Sequence, residues 1–364
     1  MRHRFHALCP YFAMFPETFA EYWIEELTRP GDLVLDPFCG RGTTPLQALL
    51  LDRWAIGNDI NPVASCLSRA KTGAPRAQDV RARLTVLQGQ FHAEGHFADA
   101  DHLPEFFHVA FAPRTLEQLC FLRQRLRWRT SRVDCMVAAL VLGALHGESE
   151  RSQRYLSNQM PRTISTKPAY SIRYWRERGL LPPDRDVFAV IDQAVAYRYG
   201  SPAPPKRGTI FEGDFRSLPA RLGRPTPPVK LVVTSPPYFD TTRYEEDQWL
   251  RLWFLGHKPF PTYSQISRDD RHGGEGVYWS MISDLWRVLG SILAKRAYVV
   301  IRLGGRGVSA QSVRQRLEAA TAFSPREFEL VATSESQAKR RQTDAFRPGT
   351  KAPLKEVDCC FVAI

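Results

Sequence analysis

The stretch that decides the fold lies at residues 31–44 and reads Gly-Asp-Leu-Val-Leu-Asp-Pro-Phe-Cys-Gly-Arg-Gly-Thr-Thr. Its apolar run, Leu33 to Leu35, predicts a short buried strand, which Asp36 and Pro37 end. Glycines, and then a helix-like apolar pattern, follow at once. Strand, glycine loop and helix in this order are typical of a site for a nucleotide-like ligand at the edge of a parallel sheet.

The sequence of the glycine loop limits which ligands are possible. Gly40 and Gly42 predict a tight turn, and Thr43 or Thr44 is expected to cap a helix that has Pro45 at its first position. The loop is not Gly-x-Gly-x-x-Gly, which argues against a pyrophosphate ligand, and it has no Gly-Lys-Ser/Thr for a phosphate-binding P-loop.

A second strand is predicted at residues 54–59, Trp-Ala-Ile-Gly-Asn-Asp. Asp59 ends it about 20 residues beyond the loop, where an acidic residue can hold ribose hydroxyls in dinucleotide-binding folds. The alternative is an ordinary carboxylate at the end of a strand.

A third feature is Thr-Ser-Pro-Pro-Tyr at residues 234–238, directly after the apolar run 231–233. Two prolines cannot donate to a sheet ladder, so the strand must end there. A serine hydroxyl, a fixed carbonyl and an aromatic ring then stand at its carboxyl end. This set suits the capture of a planar base that carries an amine, and the alternative is a Pro-Pro turn that closes a buried strand.

Together these segments resemble the amino-methyltransferases that modify DNA on cytosine N4 or adenine N6 and use S-adenosyl-L-methionine. Residues 36–44 resemble their motif I, and Ser235-Pro-Pro-Tyr238 resembles their catalytic motif IV. Weaker likenesses to motifs X, II and III lie at 10–16 with 19–27, at 57–62 and at 213–215. The resemblance covers roughly residues 5–70 and 205–303.

The resemblance implies a role for each matching residue in cofactor binding. It places Phe38, Gly40, Gly42 and Thr43 around the methionine part, Asp36 near its amino group, Asp59 on the ribose, Ile60 against the adenine, Asp214 on the adenine amine, and Phe15 and Pro16 over the pocket. The chain departs from the family at Arg41, where serine is usual, and we expect this long side chain to point outward.

The implied catalytic residues are Ser235, Pro236, Pro237 and Tyr238. The Ser235 hydroxyl and the Pro236 carbonyl would accept the two amine N–H groups, and Tyr238 would stack on a flipped-out base. Serine at position 235 favours cytosine N4, and adenine N6 stays open. A cytosine C5 enzyme would need a catalytic cysteine, usually after proline, and no Pro-Cys pair occurs.

The implied fold is an α/β, Rossmann-like class I methyltransferase with a mostly parallel seven-stranded sheet and a helical insertion. Residues 1–70 would carry motifs X, I and II, residues 71–205 the mainly helical insertion, and residues 206–364 motifs III and IV with the closing strands. Apolar spacing predicts helices at 116–128, 133–145, 187–196, 244–256, 278–293 and 310–320, and strands at 297–303, 328–333 and 356–364.

Charge agrees with a nucleic-acid partner, since the net charge is +12. Cations alternate with aromatic residues over 151–178, and polar loops are expected at 257–276 and 335–351. These are candidates for target recognition, and solvated basic loops are the alternative. Double-stranded DNA is the implied partner, with a cognate restriction endonuclease acting separately. An RNA base methyltransferase and a non-catalytic nucleic-acid-binding homologue stay open.

Other classes are disfavoured by what the sequence lacks. No apolar run approaches ~18 residues, and no signal-type apolar stretch follows the basic start. The seven cysteines are scattered without Cys-x-x-Cys or zinc-like spacing. We therefore expect a reduced, cytoplasmic protein, associated with the nucleoid when it binds DNA, with no metal.

Overall fold

The computed structural model describes residues 2–11, 15–95, 97–149, 152, 154–161, 167–223, 225, 227–239, 244–262, 274–305, 309–337 and 355–364. The chain divides into two compact units. We call Phe12–Ser68, Pro204–Thr242 and Gln265–Ile364 the sheet unit, and Met1–Tyr11, Arg69–Ala203 and Arg243–Ser264 the helical unit.

Seven strands and thirteen α-helices are found in the described part of the chain. The strands are β1 (Leu33–Asp36), β2 (Trp54–Asp59), β3 (Thr209–Glu212), β4 (Val229–Thr234), β5 (Leu293–Gly305), β6 (Phe328–Gln337) and β7 (Lys355–Ala363). The helices are α1 (Glu17–Leu27), α2 (Thr43–Leu50), α3 (Pro62–Thr72), α4 (Ala77–Glu94), α5 (Glu105–Ala110), α6 (Pro113–Arg125), α7 (Arg132–Leu145), α8 (Pro168–Glu177), α9 (Val187–Arg198), α10 (Leu218–Leu222), α11 (Tyr244–Phe254), α12 (Glu275–Ile292) and α13 (Ala310–Ala320).

The strands form one sheet in the order β3-β2-β1-β4-β5-β7-β6. Strands β1 to β5 are parallel, and β7 runs antiparallel between β5 and β6. This is the predicted class I methyltransferase sheet, and the fold prediction is confirmed.

The two faces of the sheet are both buried, which explains the continuous apolar runs of its parallel strands. Leu33, Leu35 and Val232 contribute to a core that includes α12 residues such as Trp286. Val34 contributes to the core on the opposite face, which includes residues of α1 and α2. Neighbouring residues of β1 therefore serve opposite cores, as the two-residue period of a strand requires.

The order of the strands fixes where a ligand should bind. From β1 the chain proceeds to β2 and β3 on one side, and it later returns to β4 and β5 on the other side. The switch point therefore lies between β1 and β4, which pair in parallel through Val34 with Leu231 and Leu35 with Val232. Open α/β sheets bind ligands beyond the carboxyl ends of the strands at such a point.

The helical unit contains α4 to α9 and α11. Its α7 is buried nearly all round, in line with its mostly apolar sequence. The unit also takes in residues 1–11 and 243–264, which the motif pattern had grouped with the methyltransferase segments. The predicted domain boundaries and the role of the insertion in recognition stay predictions.

Three observations concern the wider chemistry of the chain. All seven cysteines are buried and none is in a disulfide among the described residues. Within the described residues there is no group of three or more His, Cys, Asp or Glu residues that could hold a metal ion. None of the helices described here has the length and the apolar character needed to cross a membrane.

Candidate active site

The carboxyl ends of β1 and β4 are joined by side-chain hydrogen bonds. The Thr234 hydroxyl donates to Asp36 Oδ1 at 2.7 Å, and the Thr44 hydroxyl donates to the carbonyl of Val233 at 3.1 Å. The strand that ends in Ser-Pro-Pro-Tyr is thus tied to both ends of the glycine loop. The two motifs, almost 200 residues apart in sequence, form one site.

The glycine loop has the left-handed backbone that its glycines predict. Gly42 has φ +77° and stands at the N-cap of α2, which begins at Thr43. The prediction of a threonine cap with Pro45 at the first helical position is therefore wrong. Thr44 lies inside the helix, and its hydroxyl donates a hydrogen bond to the carbonyl of Val233 in β4.

Arg41 is also placed differently from the prediction. Its residue is only 5% exposed, so the expectation of an outward side chain is wrong. The reason is that the loop lies against α3, where the Ser68 hydroxyl donates to the carbonyl of Gly40 at 2.8 Å. Because the loop packs against α3, the Arg41 side chain in the loop is buried as well.

Asp59 lies beside the glycine loop at the end of β2. Its Oδ2 accepts the Gly40 N–H at 2.8 Å, and its Oδ1 accepts the Asn61 N–H at 2.9 Å. A carboxylate has about four acceptor positions, so these bonds leave capacity for hydroxyl donors. The next residue, Ile60, is 47% exposed, which suits an apolar contact with a ligand. Both roles in cofactor binding stay predictions.

Asp214 follows β3 and caps a short 3₁₀ turn. Its Oδ1 accepts the N–H of Arg216 at 2.8 Å, and its Oδ2 pairs with the Arg216 guanidinium at 3.0 Å. Asn58, which the sequence reading missed, bridges this segment to β1, since its Nδ2 donates to the carbonyls of Pro37 at 3.2 Å and Gly213 at 3.0 Å. Asp214 is thereby held near the glycine loop, and its contact with adenine stays a prediction.

The other predicted cofactor residues are apolar or structural. The Phe38 ring packs on Phe215 with centroids 4.9 Å apart, and Phe15 packs edge-on against Phe19 of α1 at 5.0 Å. Pro16 stands at the N-cap of α1 and is exposed, whereas Thr43 is buried. Their contacts with a cofactor stay predictions as well.

The buried Asp36 carboxyl of this site has an unusually high pKa. Burial raises the pKa of its carboxyl to about 7, and the hydrogen bonds from Thr234, Phe38 and Thr44 only partly oppose this shift. The Asp59 charge also raises the pKa of the Asp36 carboxyl. A buried carboxylate of this kind favours a positively charged ligand.

The catalytic motif forms a directed chain of hydroxyl groups. The Ser235 hydroxyl donates to Tyr238 Oη at 3.5 Å, and the Tyr238 hydroxyl donates to Glu356 Oε1 at 3.1 Å. Burial and the Glu356 carboxylate raise the pKa of Tyr238 well above its usual range. Pro236 is buried and Pro237 is half-buried, so the strand ends rigidly at this point.

Behind Glu356 lies a charged cluster that the sequence reading missed. Arg302 of β5 binds Asp358 of β7 in a bidentate pair at 2.6 and 2.8 Å, and its guanidinium lies 3.7 Å from Glu356 Oε2. It also stacks over the ring of Phe19 at 3.9 Å. An acidic alternation in the last strand, Glu356-Val-Asp358, was the one signal of this cluster in the sequence.

Of the candidate recognition segments, only parts can be described. In α8, Arg173 stacks over Tyr170 at 5.6 Å, and Arg178 beyond its end stacks over Tyr174 at 4.0 Å. His257, which follows α11, is exposed. Residues 162–166, most of the loop at 257–276 and most of that at 335–351 lie outside the described residues. Their part in recognition stays a prediction.

Comparison with known proteins finds similarity over the N-terminal segment. Residues 3–67 match the family model of the DNA methylases, N6_N4_Mtase. Over these residues the chain is similar to the DNA methylases. The match contains the glycine loop and Asp59 and ends before β4, so the Ser-Pro-Pro-Tyr motif lies outside it.

Curated relatives agree over the same short stretch. The type II methyltransferase M.MjaII of Methanocaldococcus jannaschii is 33% identical over 66 residues, which are 18% of this chain and 12% of the relative. M.SmaI of Serratia marcescens is 38% identical over 61 residues, 17% of this chain and 21% of the relative. The chain thus covers about a fifth or less of these relatives. Among solved structures, TrmN of Thermus thermophilus aligns with 100% of this chain and 53% of its own, at 11% identity and a TM-score of 0.40, which is too remote to inform function.

S-adenosyl-L-methionine is the cofactor of this family, and the residues present fit it. Asp36 offers a buried carboxylate for the cationic α-amino group of the methionine part, and the partly buried Phe38 offers an apolar surface for the same part. The Asp59 carboxylate suits ribose hydroxyls, and the exposed Ile60 suits an adenine ring. When bound, the cofactor supplies an electrophilic methyl group.

The raised pKa of Asp36 predicts a pH dependence of cofactor binding. As pH rises from 5.5 to 7, the ionised fraction of a carboxyl with a pKa of about 7 increases roughly 16-fold, so cofactor affinity should rise by about the same factor. The cofactor's own α-amino group stays largely protonated in this range. Calorimetric titration at several pH values measures this, and the Asp36→Asn variant should lose the dependence. An affinity of the wild type that does not change with pH would contradict the assignment of Asp36 to the cationic part.

The Asp36 carboxyl also predicts how the stability of the cofactor-free protein depends on pH, and this trend is opposite to that of cofactor affinity. Its folded-state pKa lies above the ordinary 3.8, so the folded protein binds more protons than the unfolded chain between these values. Stability should therefore fall as pH rises from about 4 to about 7, and cofactor should raise Tm more at pH 7 than at pH 5.5.

Proposed function

We propose that this protein is an S-adenosyl-L-methionine-dependent DNA methyltransferase that modifies the exocyclic N4 amine of cytosine. The observation that carries the proposal is the direct link between the two motifs. The strand ending in Ser235-Pro-Pro-Tyr238 lies beside β1 at the switch point of the sheet, and the Thr234 hydroxyl binds Asp36 at 2.7 Å. A site for the methyl donor and a site for a planar amine therefore adjoin.

The chemistry of the target explains the residues at the end of β4. The lone pair of an exocyclic amine is delocalised into the ring, so the amine is a poor nucleophile. Acceptance of its two N–H groups by the Ser235 hydroxyl and the Pro236 carbonyl favours a more pyramidal nitrogen. Catalysis is otherwise a matter of holding the two reactants in line. No covalent enzyme intermediate is needed.

A base inside a duplex cannot reach such a site, so the target cytosine must leave the stack, at a cost of a few kcal/mol. Tyr238 provides a ring on which it can stack. The net charge of +12 supports an anionic polymer as the partner. Serine at position 235 supports cytosine N4 over adenine N6, in line with the family resemblance.

The test is methyl transfer from labelled cofactor to duplex DNA and to RNA in parallel, followed by digestion and identification of the nucleosides by mass. We expect N4-methylcytosine in DNA. N6-methyladenine would overturn the choice of base, and label confined to RNA would overturn the choice of substrate. Cofactor binding without transfer to any nucleic acid would favour a non-catalytic homologue. Sequencing of the methylated sites would then show whether the activity is site-specific. A methyltransferase that is paired with a restriction endonuclease must modify a defined sequence.

A further inference from the structure

We propose that Glu356 is the terminal proton acceptor of this active site, reached from Ser235 through the hydroxyl of Tyr238, and that Arg302 holds it in place. The inference rests on the proposed function, because it concerns the proton that an amine loses when it gains a methyl group. Glu356 lies in β7, 118 residues beyond Tyr238, and belongs to none of the motifs that the chain resembles.

The direction of the hydrogen bonds is the first argument. Ser235 donates to Tyr238 and Tyr238 donates to Glu356, so every proton in the chain points away from the target amine and toward the carboxylate. An ionised carboxylate only accepts hydrogen bonds, so the chain must end there. The first distance, 3.5 Å, is long, and hydrogen bonds of catalytic groups often shorten only in the complex with substrate.

The setting of Tyr238 is the second argument. Burial and the neighbouring Glu356 raise the pKa of Tyr238 far above neutrality, so this hydroxyl does not ionise during turnover. It can give its proton to Glu356 only as it takes another from Ser235. This is the behaviour of a relay and not of a base.

The fixation of Glu356 is the third argument. Its Oε1 faces Tyr238, while its Oε2 lies 3.7 Å from the Arg302 guanidinium. Arg302 is itself fixed by the bidentate pair with Asp358, which also accepts the Ser334 hydroxyl at 3.1 Å. The Glu356 side chain remains 19% exposed, so a proton taken from the site has a route to water.

Methyl transfer to the amine would balance in atoms and electrons. The lone pair of the amine would form the new bond to the methyl group that the cofactor supplies, and the electron pair of the broken carbon–sulfur bond would stay on sulfur. The nitrogen then carries one proton too many. Ser235 Oγ accepts this proton and passes its own to Tyr238, and Tyr238 passes its own to Glu356. Both hydroxyls are restored, the product is a neutral methylamine, and Glu356 ends as a carboxylic acid that returns its proton to water.

The charges around Glu356 come from three directions among the described residues. Arg302 faces it from β5, Tyr238 from the segment after β4, and Asp358 lies two residues along β7 on the same face. From β6, the backbone register places Ser336 opposite Glu356. Among the described residues, Arg302 is the cation that contacts Glu356.

The test compares Glu356→Gln with Tyr238→Phe and with a matched control, Glu329→Gln, which changes an exposed carboxylate on β6. Glutamine keeps an oxygen that accepts from Tyr238 but cannot take a proton. Under single-turnover conditions we expect transfer about 10²-fold slower in both site variants, with cofactor and DNA affinities within about twofold of the wild type. The control should behave as the wild type.

A second readout does not depend on activity. With ¹³Cζ-labelled tyrosine, the Tyr238 resonance, assigned by its loss in Tyr238→Phe, should move in Glu356→Gln, because the Tyr238 hydroxyl then donates to an amide oxygen in place of a carboxylate. A Tyr238 resonance unchanged in Glu356→Gln, or a Glu356→Gln rate within about threefold of the wild type, overturns the proposal and leaves the methyltransferase assignment intact. A wild type that transfers methyl groups to no nucleic acid overturns both.

Discussion

The Ser235→Ala variant should transfer methyl groups about 10²–10³-fold more slowly than the wild type, while its affinities for cofactor and DNA stay within about twofold. The alanine removes the acceptor for one amine N–H and the first hydroxyl of the chain to Glu356. Both interactions matter most as charge develops on the nitrogen, so the loss falls on the chemical step. Rapid-quench measurement of a single turnover separates that step from product release.

Two further variants make this result specific to position 235. Ser280→Ala removes an exposed serine of α12 in the same unit and should not change the rate. Ser235→Asn restores an acceptor oxygen, though not a relaying hydroxyl, and should recover about tenfold of the activity lost in the alanine variant. If Ser235→Ala transfers methyl groups as fast as the wild type, Ser235 has no role in the mechanism.

The features that the sequence predicted well are those that depend on neighbours in the chain. Apolar runs ended by Asp-Pro or Pro-Pro located β1 and β4, and the helix predicted at 310–320 matches α13 to the residue. The mostly parallel sheet was implied by the family resemblance, and the helices between its strands supply the crossovers that parallel pairing needs.

The features that the sequence did not predict depend on contacts across the sheet. Nothing local marks Glu356 as a neighbour of Tyr238, because the contact exists only when β7 inserts between β5 and β6. The same holds for Thr234 and Asp36, which meet through the pairing of β1 with β4. A residue that acts through a partner more than 100 positions away carries no periodic signal.

The errors at the glycine loop have a tertiary cause as well. Local propensity favours threonine at an N-cap, yet Gly42 takes that position because the chain needs a left-handed residue beside α3. Arg41 then becomes enclosed, against the ordinary preference of arginine for the surface. Packing of the loop on α3 overrides both local preferences.

That packing leads to the second large effect, in the Gly42→Ala variant. At φ +77° a side chain is strained, and a Cβ would lie 2.6 Å from Ser68 Oγ and 3.0 Å from the Ser68 Cα. The hydroxyl could turn away, but the backbone of α3 cannot. We expect the free energy of unfolding to fall by about 2–4 kcal/mol, from the left-handed backbone and the overpacked contact together. Cofactor affinity should fall tenfold or more, because a displaced loop no longer holds the cofactor in its binding geometry.

Gly31→Ala separates the two causes, because Gly31 precedes β1 with φ +90° and nothing lies within 4 Å of its would-be Cβ. This variant should lose only about 1 kcal/mol, the cost of the left-handed backbone, and should bind cofactor normally. Urea unfolding with an unchanged m-value and calorimetric titration of cofactor measure both quantities. Should Gly42→Ala lose no more than Gly31→Ala, the loop would not depend on its contact with Ser68. A loss confined to Gly42→Ala, in stability and in affinity alike, would tie cofactor binding to the close approach of this loop to α3.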